Sequence, residues 1–563
     1  MLRSFGLGVL FGLVVTPYLA GQTLAPPYSF GQVDANSTPV THTVTLTITQ
    51  GGSIEAPVVV TDGITGLDFS DKGTGTCTTN GSSHIYAAGD TCTVEVQFLP
   101  KFPGIRRGAV KLNNTTGSLV ALAYVSGTGV GPVVALTPSP TLQIGSGFQW
   151  VTGLAVDAQG NIYATDPNDN KVVKETYISP GNYQPSTILT GTQSAIAVDG
   201  AGNLYVTSYT ASGIFKETPG PGGTYTASNV YIPTYLNTVL NVAVDGAGVV
   251  YASLIGSNTV IALTPSSSGY LETVLLTAPS PYIPTAVAVD AAGNVYVVET
   301  VLVGTLPPSN LIKLTPGNGG VHSQTMIGSN WLQLLGMAVD AAGSVYVSTG
   351  NDDAVMKETP SGTSYTESQV ETSRVMVLDA LAVDPFGNLF VAGDAQPTIQ
   401  ELAFSLPQTF DFPATTVGGT SSTIDQQSVL NNGNAPLLFA PQATMPNPLL
   451  SAGFGYNSTY SCPVVAAGAP SASTLLPGAS CTYELVAQPV LSGSYSGQLV
   501  MTNNNYNLSG SQQTLPLNAT GFGSGAPQAP TVTAVSPASG PAAGGMTVTV
   551  TGTNFTGDRK SVV

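Results

Sequence analysis

Few residues in this 563-residue chain are equipped for chemistry. There are three histidines, His42, His84 and His322, and none stands at a recurring position of any internal pattern. A metal centre built on imidazoles needs several of them converging, and nucleophile–His–acid catalysis needs a partner nucleophile; neither set is visible. Two oxygen-rich runs, Asp-Pro-Asn-Asp-Asn (166–170) and Gly-Asn-Asp-Asp (350–353), carry the hard ligands that suit Ca²⁺. Neither follows the twelve-residue EF-hand order, and both fall where a hairpin should turn. Turn chemistry is therefore the expectation, with Ca²⁺ as the one cofactor left open. Trp150 and Trp331 each precede a repeated motif, in loops that could face one end of a ring. They either stack on a sugar or anchor a partner, or they plug gaps in the packing.

The four cysteines form two local pairs, Cys77 with Cys92 and Cys462 with Cys481. Neither pair has CxxC metal spacing, and exported chains keep disulfides, so two short-loop disulfides are expected, with free thiols as the alternative. Each closure would stabilise its domain by about 3 kcal/mol in the chain-entropy picture. Export is suggested by residues 1–21. Arg3 precedes the apolar run LGVLFGLVVTPYLA, which ends in small residues at Ala20-Gly21 and reads as a secretion leader, an uncleaved anchor being the alternative. No later stretch is apolar for the eighteen or so residues of a helical span. The expected location is thus secreted, periplasmic or at the cell surface.

Charged residues make up 8% of the chain, and 31 acids against 14 bases give a net charge of −17 without any basic cluster. Nothing is present to neutralise a phosphate backbone, which argues against nucleic-acid binding.

One pattern recurs six times: LAVDAQGNIYA (154–164), IAVDGAGNLYV (196–206), VAVDGAGVVYA (242–252), VAVDAAGNVYV (287–297), MAVDAAGSVYV (337–347) and LAVDPFGNLFV (381–391). Its aspartates, Asp157, Asp199, Asp245, Asp290, Asp340 and Asp384, are separated by 42, 46, 45, 50 and 44 residues. Its glycines are Gly160, Gly202, Gly248, Gly293, Gly343 and Gly387. Period-two apolar runs on either side of Asp-x-x-Gly describe two strands and a tight turn. The carboxylate can accept turn amides, and glycine adopts positive φ cheaply. A repeat of this length with several strands predicts propeller blades, so these residues are read as scaffold. A third strand follows each copy, and an extra run, VVALTP (133–138) with TLQIG (141–145), precedes the first. That fits a ring closed by an N-terminal strand; a seventh unit would lack its own Asp-x-x-Gly.

The xAVDxxGNxYV copies resemble the NHL-repeat propellers, which implies a six-bladed ring over 131–404. Members of that group are protein- or RNA-binding platforms, and related rings include lyases and metal-dependent lactonases. Residues 28–130 and 405–523 share a layout of short alternating strands (TCTVEVQFLP against SCTYELVAQP), as in immunoglobulin-like sandwiches. They resemble ASH-type (abnormal-spindle/hydin-like) domains of exported bacterial proteins, usually spacers or adhesion modules. After a linker at 524–529, residues 530–557 resemble the start of an IPT/TIG domain. The expected fold is all-β: a six-bladed propeller between two sandwiches, plus an Ig-like fragment.

The reading is a non-enzymatic binding or adhesion scaffold whose propeller meets a protein or glycan, with no catalytic residue assigned. The alternative is a propeller lyase or Ca²⁺-dependent, lactonase-like hydrolase with its site in the central channel. Residues 558–563, DRKSVV, are what GAT CGG AAG AGC GTC GTG encodes, a string recognisable as the start of a common sequencing adapter. They are expected to be foreign to the natural protein. Sequencing an uninterrupted genomic clone should return other codons after residue 557, and finding the same six would refute this.

Overall fold

The computed structural model describes residues 27–77, 84–137, 139–208, 212–233, 238–266, 269–301, 308–317, 321–331, 334–349, 354–370, 378–394, 397–523, 531–539 and 548–553. The leader, the 350–353 run, the linker and the 558–563 tail lie outside them. Among the described residues the regular elements are strands joined by turns, apart from two single 3-10 turns at Pro221–Gly223 and Asn505–Asn507.

Six four-stranded antiparallel sheets occupy the middle of the chain. In the fourth, Ile283–Val289, Val295–Thr300, Ser309–Pro316 and His322–Trp331 pair in chain order, with Val287 opposite Val297 and Val289 opposite Val295. The first strands of the six sheets neighbour one another in a closed cycle, the sixth against the first, so they line a channel. The ring closes as expected by an N-terminal strand: Thr141–Ile144 pairs with Ile399–Leu402 as the outer strand of the last sheet. The neighbouring run does not join the ring. Val134–Thr137 pairs instead with Asp425–Asn431 of the second sandwich, a correction to its assignment within 131–404. With the ring edge already taken, Val134 and Leu136 are buried in that sandwich's core beside Val429 and Tyr483.

The repeated turn is built on one carboxylate, buried in four of the six copies (Asp157, Asp199, Asp340 and Asp384) and half-buried in the other two. Asp290 Oδ1 accepts the Ala292 and Asn294 N–H groups, both at 2.9 Å, while Oδ2 accepts Asn294 Nδ2 at 2.7 Å and Tyr296 OH at 2.9 Å. Gly293 closes the turn at φ +77°, where a Cβ would be strained. The two turn amides are accepted in the same way by Asp157, Asp199, Asp245, Asp340 and Asp384. Across the sheet from the tyrosine, the third strand supplies a lysine whose ammonium lies over the ring: Lys174 on Tyr163, Lys216 on Tyr205, Lys313 on Tyr296 and Lys357 on Tyr346, at 4.9–5.6 Å. The third sheet has Ala262 opposite Tyr251, and the sixth has Glu401 opposite Phe390. Tyrosine and lysine are thus absent together in the sixth.

Each sandwich carries a disulfide, Cys77–Cys92 and Cys462–Cys481, whose second cysteine lies on the equivalent strand of each. Cys92 is opposite Leu46 and Cys481 is opposite Val429. At the C-terminal end Thr531–Ser536 and Thr549–Thr553 form a two-stranded ribbon.

Asp340 also lies 3.3 Å from the buried Lys357 ammonium. Asp340→Ala would leave that cation unpaired as well as opening the turn, a loss on the order of 3 kcal/mol. Asp290→Ala should cost less, since no ion pair is broken. Differential scanning calorimetry of both variants checks the order, and equal losses would contradict it.

Candidate functional site

All six Asp-x-x-Gly turns emerge at one end of the channel, and both sandwiches sit there. The first lies on the second and third turns, where the residue after the aspartate is glycine. A Cβ on Gly200 would lie 2.4 Å from Gly108 N, and one on Gly246 would lie 2.4 Å from Ser126 Cβ. The other copies have Ala158, Ala291, Ala341 and Pro385 at this position. Asp-Gly-Ala-Gly against Asp-Ala-Ala-Gly was therefore a readable docking signal that repeat analysis alone passed over. Tyr124 OH donates to Asp199 Oδ2 at 2.8 Å, and Lys111 Nζ donates to Ala201 O at 3.2 Å.

The second sandwich engages the fifth sheet in parallel fashion. Lys357 Nζ donates to Asn432 Oδ1 at 2.7 Å, and Asn432 Nδ2 reaches Tyr346 OH at 3.4 Å. At the sixth turn all three modules meet: Phe102 of the first sandwich packs edge-on against Phe386 at 5.0 Å and against Tyr506 of the second sandwich at 5.1 Å. Tyr506 OH also donates to Phe386 O at 3.1 Å.

The covered end holds a crevice of about 310 Å³ between the sandwiches and the turns, and the channel beyond it encloses about 180 Å³. Arg107 lines both. It donates from Nη1 to Val244 O at 3.1 Å, and its Nε lies 3.3 Å from Asp62 Oδ1. That pair is close without hydrogen-bond alignment, since neither atom has a hydrogen-bond partner. Burial pushes the Asp62 carboxyl up to about 6, against the opposing pull of Arg107. Arg106 beside it is buried and bonded to Asp68 through Nε at 2.6 Å. The Arg-Arg pair, two of only 14 bases, went unread because it lies inside a strand of the flanking module.

The first strands run toward the turns, so their starts mark the opposite mouth. There the channel is lined by Thr152, Asn241 and Asp379. Trp150 Nε1 donates to Asp379 Oδ2 at 2.6 Å, and burial raises the Asp379 carboxyl, with the Asp394 charge adding to the rise. Trp150 is half-buried at this mouth, whereas Trp331 is 8% exposed in a core cluster with Tyr296 and Val347 and presents no ring to a ligand. Of the two readings open for Trp331, the ligand-face one is excluded and the packing one holds: it is covered by the sheets on either side of it. In the 166–170 run, Asp166 accepts the backbone N–H groups of Gln149, Trp150 and Asp169, while Asp169 pairs with Lys171 at 2.7 Å. Its carboxylates serve the turn. Among the described residues no group of three or more His, Cys, Asp or Glu could hold a metal ion. His42 packs on Phe30 and His322 opens an outer strand; neither lines the channel.

Residues 530–563 match the IPT/TIG domain family. No curated protein matches the chain. Similar solved structures include a gluconolactonase from Xanthomonas campestris, 16% identical, with a TM-score of 0.39 over 48% of this chain and 93% of that one. A PQQ-bound aldose sugar dehydrogenase from Streptomyces coelicolor is 14% identical, with a TM-score of 0.36 over 48% and 98%. A virginiamycin B lyase from Staphylococcus aureus is 12% identical, with a TM-score of 0.33 over 64% and 99%.

The three-module junction titrates. Burial raises Asp384 to about 7, with Glu401 adding to it, and raises Glu401 itself to about 6, against the Gly181 N–H it accepts. The folded chain holds protons that the unfolded chain releases. This contribution is therefore full below the unfolded values near 4 and is lost as pH rises through 6–7. The melting temperature should fall between about pH 5 and about pH 8. Glu401→Gln, which keeps an acceptor and removes the charge, should flatten that slope; an unchanged slope would exclude the pair as its source.

Proposed function

We propose that the protein is a non-enzymatic binding or adhesion scaffold that works at or outside the cell envelope and presents the open face of its propeller to a protein or glycan. The observation that carries this reading is the coverage of the turn end by both sandwiches. It commits one end of the ring to internal docking and leaves the opposite loop face, with the Trp150 rim, as the surface on offer. The narrow channel, with Arg107 at its covered end, favours recognition by loops over passage through the ring. Two disulfides support an extracytoplasmic location, and among the described residues no helix is long and apolar enough to cross a membrane.

A second reading rests on Asp379. A carboxyl raised by burial, bonded to an indole N–H at a channel mouth, has the setting of a general acid or base in a lyase or hydrolase. Calcium held by loops of that face would belong to this reading.

The experiment compares the whole chain with Asp379→Asn in three assays: glycan and envelope-protein binding, turnover of lactones and esters, and thermal unfolding with Ca²⁺ and then chelator. The scaffold reading expects binding in both proteins, turnover in neither, and a midpoint indifferent to Ca²⁺. A site filled at a hundred times its Kd would instead add about 2.7 kcal/mol. Turnover that vanishes in Asp379→Asn would overturn the scaffold reading in favour of the enzyme.

A further inference from the structure

The two sandwiches contain the same three-stranded half-sheet, matched in register. In the first, Val40–Thr47 pairs with Thr91–Phe98, which pairs with Phe69–Asp71. In the second the order is Asp425–Asn431, Ser480–Ala487 and Phe454–Tyr456. Counting from the disulfide cysteine, Leu46 opposite Cys92 answers to Val429 opposite Cys481, and Phe69 opposite Phe98 answers to Phe454 opposite Ala487. The second sandwich has one strand more. Val134–Thr137 lies on the outer edge of Asp425–Asn431, with Thr137 opposite Ser428 and Ala135 opposite Leu430, and it buries Val134 and Leu136 in the core.

In the first sandwich the outer edge of Val40–Thr47 is paired with no strand among the described residues. Exposed edges are ordinarily protected by charge, proline or a bulge. This one, VTHTVTLT, has no proline and no Lys, Arg, Asp or Glu, and its register with Thr91–Phe98 is unbroken. One outer amide is met by a side chain: Thr45 N–H donates to Tyr28 OH at 3.1 Å. Phe410, which answers to Tyr28 in the second copy, has no hydroxyl, and there Ser428 faces Thr137.

We propose that the outer edge of Val40–Thr47 is a strand-docking site and that its occupant is this chain's own segment 22–26, Gln-Thr-Leu-Ala-Pro, which lies outside the described residues. Two observations select it. Leu24-x-Pro26 repeats Leu136-x-Pro138 of the strand that completes the second sandwich. That alignment puts Leu24 in the place of the buried Leu136, and Ala25 in the place of Thr137, opposite Thr45. The tether also fits. Tyr28 follows Ala25 by three residues, an extended reach of about 10 Å, and its hydroxyl already touches Thr45. On docking, the segment takes over the Thr45 amide from Tyr28, exchanging one hydrogen bond for another. The new ladder bonds and the burial of Leu24 supply the gain. Each sandwich is then completed by a short Leu-x-Pro strand from the chain preceding it.

The test is cross-linking in the full chain. Ala25→Cys with Thr45→Cys is oxidised alongside a positive control, Thr137→Cys with Ser428→Cys, and both are mapped by mass spectrometry with the Cys77–Cys92 bridge verified intact. An intrachain bridge between positions 25 and 45, formed to the same extent as the control, is the expected result. A bridge only between two copies would assign the edge to a second chain and overturn the proposal, as would a bridge in the control alone. Hydrogen exchange gives an independent readout. The Thr43, Thr45 and Thr47 amides should exchange roughly tenfold faster in Leu24→Asp than in the unaltered chain, and equal rates would overturn the proposal.

Discussion

The aspartate of the Asp-x-x-Gly turn, buried in four of the six copies, is the residue on which the rest of the architecture depends. One carboxylate closes the hairpin through two turn amides and holds the tyrosine two residues past the Asn position through its hydroxyl. Through that tyrosine it fixes where the lysine of the third strand lies. A carboxylate so thoroughly hydrogen-bonded tolerates burial that would otherwise be costly. The tyrosine and lysine that accompany it pack sheet against sheet. Where the lysine is missing and an acid stands in its place, at Glu401, the tyrosine is replaced by Phe390 and the local carboxyls rise.

The same turns define the docking surface. Because each joins the first two strands of its sheet, all six emerge at one end, and the sandwiches bind to them with a shared logic. Tyr124 reaches the Asp199 carboxylate, and Asn432 reaches the Lys357 ammonium and Tyr346 hydroxyl, so each sandwich sets a polar side chain against groups the repeat had already placed. Glycine at 200 and 246 removes the methyl groups that would hold the first sandwich away. One end of the ring is thereby a structural joint, and on the other face Trp150 and Asp379 sit at the channel mouth.

Much of this was legible in the sequence. The strand alternation, the six turns and the strand-closed ring follow from period-two patterning and turn chemistry, which are local. The cysteine pairs were legible for a similar reason, because each closes a short loop, 15 and 19 residues apart in sequence. The crowding around the second and third turns was written in Asp-Gly-Ala-Gly, but its meaning depends on a surface from another module. Trp150 and Trp331 occupy similar places in the repeat, yet one rims the channel and the other is core. Nothing in their neighbours along the chain distinguishes them.

By itself, the sequence determined the elements: which residues alternate, where the chain turns and which carboxylates hold the turns. These depend on neighbours a few positions away, whose geometry backbone sterics and hydrogen bonding restrict to few solutions. Tertiary structure alone decided the partners. Val134–Thr137 has the composition of a blade strand, but the ring edge is filled by Thr141–Ile144, and the apolar face of Val134–Thr137 is buried in the second sandwich instead. Arg107 reads as a charged residue within a strand, and only the approach of two modules places it in the lining of the channel. Strand pairing is set by which edge is free and which core has room, and those are properties of the assembled molecule.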